Sequence, residues 1–171
     1  MKTRLSLICA GSAVVTALLA SPPAAEARYK RVHASGCIEQ SPSHKYLVQT
    51  GTLWNDDNSS LSALICALPE DRDFPKTAVT QLTVTGFDGN SSNAVFIHAC
   101  IAYGGSTGAA CDQYVATGPG GTFTGPFTLS VPRSTWTNGL STDFAYIETF
   151  LPPVSPGRSG MRGLFAADVN G

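Results

Sequence analysis

The chain has 171 residues, with 11 Lys and Arg against 12 Asp and Glu, a formal net charge of −1, and 17 glycines and 11 prolines. So even a balance excludes the clustered basic surface that neutralises nucleic-acid phosphates, and no nucleic-acid partner is expected. Beyond residue 27 no apolar run is long enough to cross a membrane as a helix.

In chain order the first element is a leader. Lys2 and Arg4 precede the uncharged apolar stretch Leu5–Ala20, and Ala25-Glu26-Ala27 offers small residues at the positions a signal peptidase inspects. Residues 1–27 read as an export signal, with an uncleaved anchor as the alternative, and imply a secreted protein, extracellular or periplasmic. Cys9 lies too early for lipidation, and Cys37 is separated from the apolar run by Arg28, Lys30 and Arg31. Residues 28–36 read as a flexible mature N-terminus and residues 37–171 as one domain.

After the leader no helical periodicity is visible. Short apolar or alternating runs are divided by Gly, Pro, Asn, Asp and Ser clusters such as Asn55–Ser60, Asp88–Asn93, Gly118–Gly121 and Pro152–Gly160. Strands are predicted over Lys45–Leu53, Ser62–Leu68, Ala78–Thr85, Ala94–Tyr103, Ala109–Ala116, Phe123–Val131, Phe144–Phe150 and Gly163–Ala167. The two-residue period is clearest in Thr80–Thr85 and Phe127–Val131, where apolar residues alternate with Thr, Ser or Gln. The predicted fold is all-β: a single antiparallel sandwich of about eight strands, jelly-roll or Ig-like, with a barrel as the lesser option.

Cys37, a strand closing in Cys66-Ala-Leu-Pro69, the Leu82–Asp88 strand and turn, and a later strand carrying Cys100 together resemble a loose group of uncharacterised secreted bacterial β-sandwich proteins. The resemblance spans residues 33 to 167 and implies the fold; it brings no activity.

Five cysteines are present; with Cys9 in the leader, Cys37, Cys66, Cys100 and Cys111 remain, which in an exported chain implies two disulfides. Folding CIAYGGSTGAAC (residues 100–111) about Gly105-Ser106 sets Cys100 opposite Cys111 at a separation a disulfide can span. The pairing predicted is Cys100–Cys111 with Cys37–Cys66; Cys66–Cys100 is the competing arrangement.

The same stretch contains Gly104-Gly-Ser106-Thr-Gly108, a match to the serine nucleophile elbow. That elbow needs a following helix and a later acid and histidine. Here His33, His44 and His98 all precede Ser106, and Ala109–Val115 reads as a strand. No catalytic residue is assigned, so an enzyme is not expected. His98-Ala-Cys100 sets two metal-ligand types on one strand face but falls short of a zinc set. Asp56, Asp57, Asp88 and Asn90 are oxygen-rich loop residues; calcium is the one cofactor they leave open, against plain turn formation. Glu148 has no visible acidic partner for glycoside chemistry.

The functional reading is a secreted structural or interaction protein. The alternative is a carbohydrate-binding module, calcium-assisted or not, with Trp54, Trp136 and Tyr146 as ring platforms; a hydrolase ranks below both.

Overall fold

The computed structural model describes residues 27–40, 45–118 and 123–169. Most of the predicted leader, and the Pro119–Gly121 part of one predicted turn, lie outside these residues. Among the described residues no helix is long and apolar enough to cross a membrane.

The chain is an antiparallel two-sheet sandwich. Its strands are β1 (Arg28–His33), β2 (Ile38–Glu39), β3 (Tyr46–Gln49), β4 (Thr52–Asn55), β5 (Ser62–Ala67), β6 (Gln81–Asp88), β7 (Phe96–Ala102), β8 (Ala109–Cys111), β9 (Val115–Ala116), β10 (Gly125–Ser130), β11 (Phe144–Leu151) and β12 (Gly160–Asp168). One short helix, α1 (Ser134–Asn138), precedes β11. Sheet A runs β10-β6-β12-β4-β3, with β1 also on β12; sheet B runs β2-β5-β11-β7-β8, with β9 also on β7.

Alternation sets the layers. Ala145, Ile147, Thr149 and Leu151 of β11 face inward, while Phe144, Tyr146, Glu148 and Phe150 face out. Leu64 and Ile97 from sheet B meet Val84, Leu164 and Met161 from sheet A in one apolar core. Trp136 of α1 is fully buried there, its indole N–H donating to the Cys100 carbonyl at 2.8 Å. A buried Trp with its polar atom satisfied is a strong packing unit.

Besides the predicted strand Ala109–Ala116, which divides into β8 and β9, three features differ from the sequence expectation. Residues 28–36 are not a flexible lead-in: β1 pairs with β12 over six positions, and residues 34–36 form a 3-10 turn. Basic residues directly after the predicted leader concealed a strand whose ladder partner lies far along the sequence. Lys45–Leu53 is not one strand but the hairpin β3–β4, turning at Thr50 and Gly51, both with positive φ (49° and 76°). Two successive positive φ values belong to the two-residue hairpin turn, and a β-branched Thr is an unusual first residue for it. The third is α1 itself, five residues long and too short to show a period.

Both predicted disulfides are present, Cys37–Cys66 and Cys100–Cys111. The 100–111 hairpin has the predicted register, with Cys100 opposite Cys111, Ile101 opposite Ala110 and Ala102 opposite Ala109.

Candidate functional site

The outer surface of sheet A is built from alternate residues of β1, β12, β6 and β10. Register places them in transverse rows: Trp54, Gly160, Phe87 and Pro126; then His33, Gly163, Thr85 and Thr128; then Arg31, Phe165, Thr83 and Ser130. Directly opposed residues in an antiparallel pair point to the same side. The face therefore carries rings at both ends and hydroxyls between them.

Gly160 allows the first row to close. A β-carbon there would meet the Trp54 ring and the Thr52 methyl, both at 2.8 Å. Without it the Trp54 and Phe87 rings come to 5.8 Å, tilted by 59°, across the strand. They wall a hollow of about 520 Å³ whose other sides include Gln49, Thr124 and Arg158. Trp54 is half-buried and Phe87 36% exposed, so ring surface faces the hollow. Arg158 is held at its rim by Asp56 at 2.6 Å.

A second hollow of about 520 Å³ lies further along the same strands, lined by Arg31, His33, Thr83, Thr85, Arg162 and Phe165 among others. A β-bulge explains Arg162. Met161 and Leu164 both face the core, so two residues lie between them where strict alternation allows one, and the β12–β6 register shifts there. Such a bulge re-aims a side chain; here it turns Arg162 outward between β4 and β1. Arg31 lies over two rings, its guanidinium carbon 5.2 Å from the Tyr29 centroid and 5.7 Å from that of Phe165.

The outer face of sheet B differs in character. His98 Nε2 and Glu148 Oε2 stand 2.8 Å apart across β7 and β11, nearly buried. Tyr114 stacks on the imidazole at 4.2 Å, and Leu61, Phe96, Tyr114 and Phe150 line a shallow groove of about 360 Å³. Partial burial, and then the Glu148 charge, push the Tyr146 phenol above its ordinary pKa. The ligand atoms of His98, Cys100, Cys111 and Glu148 lie within 4.8 Å of one another. The two sulfurs are bonded to each other and have no thiolate to give a metal.

The sequence's candidates separate. Trp54 belongs to the sheet A face, Tyr146 is half-buried on sheet B, and buried Trp136 has no surface to offer; the three form no row. Asp57 Oδ1 accepts from Ser59 N at 2.8 Å and Ser60 N at 2.9 Å, as a turn former does. Asp88 is fully buried and accepts from Ser159 Oγ (2.7 Å), Asn90 N (3.0 Å) and Thr117 Oγ1. Asn90 donates to the Pro153 and Ser155 carbonyls. These oxygen-rich residues thus engage protein partners that clamp the 152–158 loop.

Ser106 is exposed, and its hydroxyl accepts from Gly108 N at 3.2 Å, a bond internal to the turn. His44 lies outside the described residues. His33 contacts Ser35 Oγ at 2.8 Å while capping the 3-10 turn. Sequence reasoning missed Phe87 as the partner of Trp54, and Arg31 and Arg162 further along the same face. Strand alternation signalled Phe87, but only the sheet order brings it to Trp54.

No family model and no curated protein matches the chain. Among solved structures it is similar to a family 29 carbohydrate-binding module from Piromyces equi, at 13% identity and a TM-score of 0.45, covering 83% of this chain and 91% of that one. It is also similar to a chain of infectious bursal disease virus, Gt strain, at 14% identity and a TM-score of 0.27, covering 98% of this chain and 39% of that one. Neither likeness assigns a residue or a ligand to this chain.

Proposed function

We propose that this chain is an exported, non-catalytic carbohydrate-binding module whose binding face is the outer surface of sheet A. The observation that carries the reading is the Trp54–Phe87 pair, 5.8 Å apart over Gly160, walling a hollow that also presents Gln49, Thr124 and Arg158. Sugar rings combine apolar C–H faces with a rim of hydroxyls, so they need ring platforms beside hydrogen-bonding side chains. This hollow supplies both. The hydroxyl row of Thr85, Thr128, Thr83 and Ser130 continues the surface along the strands, and from Phe87 to Thr83 it extends about 13 Å at the strand rise of about 3.3 Å per residue. Two disulfides fit an oxidising compartment, in keeping with the leader read from residues 1–27.

Affinity electrophoresis on gels containing cellulose derivatives, mannan, xylan or acidic polysaccharides tests the reading. Retardation by at least one polymer is expected, weakened tenfold or more by Trp54→Ala and much less by Trp54→Phe. Retardation by none, or retardation indifferent to Trp54→Ala, refutes it.

A second reading, a protein-interaction module, is favoured by the outer face of sheet B. Tyr114 (53%) is exposed there beside Phe96 and Leu61, and Ile38 (70%) and Phe144 (68%) are exposed further along the same sheet; apolar exposure of that kind marks contact surfaces. Under it, Phe144→Asp would abolish association seen in cross-linking on the producing cells, and Trp54→Ala would leave it intact.

A further inference from the structure

We infer that the glycan bound on sheet A is acidic, and that Arg31 and Arg162 grip a sugar carboxylate in the second hollow. The inference rests on the carbohydrate-binding reading and names the substrate class within it.

The first observation is the charge left over. On β1, Arg28 pairs with Asp168 and Lys30 with Asp71, and at the neighbouring hollow Arg158 pairs with Asp56. Among the described residues Arg31 and Arg162 join no ion pair, and no carboxylate lines their hollow. Two cations facing one cavity repel each other, and an anion between them removes that cost.

The second observation is preorganisation. Arg31 is held over the Tyr29 and Phe165 rings, which fix the guanidinium plane without occupying its N–H groups. Arg162 is aimed by the bulge, and among the described residues its one side-chain hydrogen bond is a long 3.4 Å contact from Nε to Thr52 Oγ1. A guanidinium with its fork free matches a planar carboxylate in bidentate fashion.

The third observation is the rest of the lining. The Thr83 and Thr85 side chains flank the cations, and Phe165 offers a ring wall. A bare phosphate or sulfate could accept from the threonine hydroxyls but would leave the ring unused. A uronic acid residue uses all of them: its carboxylate on the arginines, its hydroxyls on the threonines, its C–H face on Phe165. The Trp54 hollow, on the same strands, then takes another residue of the same polymer.

The probes are polygalacturonate, alginate and hyaluronan, with methyl-esterified polygalacturonate as the uncharged counterpart and dextran sulfate and single-stranded DNA as general polyanions. Binding is measured by titration calorimetry with wild type, Trp54→Ala, Arg31→Gln/Arg162→Gln and Arg31→Lys/Arg162→Lys. Both arginines are exposed, so the Gln pair should fold, and an unchanged melting temperature checks this. At least one acidic polysaccharide should bind tenfold or more tighter than its uncharged or neutral analogue. The Gln pair should lose at least tenfold and the Lys pair should fall between, since ammonium keeps charge but lacks the fork. Wild type binding none of the three acidic polymers, or the Gln pair binding them unchanged, overturns the inference; so does equal binding of dextran sulfate or DNA, which carry no carboxylate. Neutral-glycan binding that requires Trp54 and ignores the arginines overturns the inference while leaving the module reading intact. Binding that ignores Trp54 altogether removes that reading.

Discussion

His98 and Glu148 are directly opposed across β7 and β11, with Nε2 and Oε2 2.8 Å apart beneath the Tyr114 ring. Their side chains are only 7% and 13% exposed, so each would be left as a nearly buried polar group without the other. Glu148→Ala and His98→Ala should each lower stability by about 2 kcal/mol, the scale of a lost hydrogen bond to a charged group. The double variant should cost less than the sum, because the second removal breaks nothing new. Urea unfolding of the four proteins measures this, and strict additivity would show that the contact carries no energy.

Tyr146 gives the same face a pH signature. Burial and, secondarily, Glu148 raise its folded pKa above the ordinary 10.0, so the folded state holds the phenolic proton more tightly than the unfolded state does. This contribution is fully present below about pH 10 and is lost as pH rises from the unfolded value through the folded one. Glu148→Gln removes the smaller cause, so the Tyr146 pKa should fall yet stay above normal. Tyrosinate absorbance, with Tyr146→Phe subtracted, reads the value; an unchanged pKa in Glu148→Gln would exclude the charge contribution.

Asp88 is the buried acceptor on which the 88–95 loop, Thr117 and the loop before β12 converge. Asp88→Ala strands several buried donors at once and should cost about 3 kcal/mol or more. Asp88→Asn keeps an acceptor but adds an N–H group, and should fall between. Thermal unfolding ranks the three, and a near-neutral Asp88→Ala would contradict the role.

The two disulfides should differ in worth. Cys37–Cys66 spans 29 residues and Cys100–Cys111 spans 11. Loop entropy then assigns about 4 and about 3 kcal/mol to their removal as Ala pairs. Cys66 is also fully buried in the core, which widens the gap. Ser106→Ala, by contrast, should stay within about 0.5 kcal/mol of wild type. Denaturant midpoints check all three; a larger loss for the hairpin bridge would reverse the order.

Much of the architecture was legible from local chemistry. Alternation in Thr80–Thr85 and Phe144–Phe150 marked strands with one buried face, because the pleat has a period of two residues. The mirror placement of Cys100 and Cys111 about Gly105-Ser106 fixed a hairpin register, because a tight turn is a local event. Chain order spoke against the α/β-hydrolase elbow at Ser106 without any coordinates, because His33, His44 and His98 all precede it. What stayed hidden depends on contacts far apart in sequence. β1 became a strand only through β12, and Glu148 met His98 only because β11 lies beside β7. Trp54 and Trp136 are the same residue type, yet one walls an open hollow and the other fills the core. The bulge that sends Arg162 outward needs both its inward neighbours to be known. Periodicity states that a side chain has a face; packing of the two sheets decides which face meets water and which residues share it.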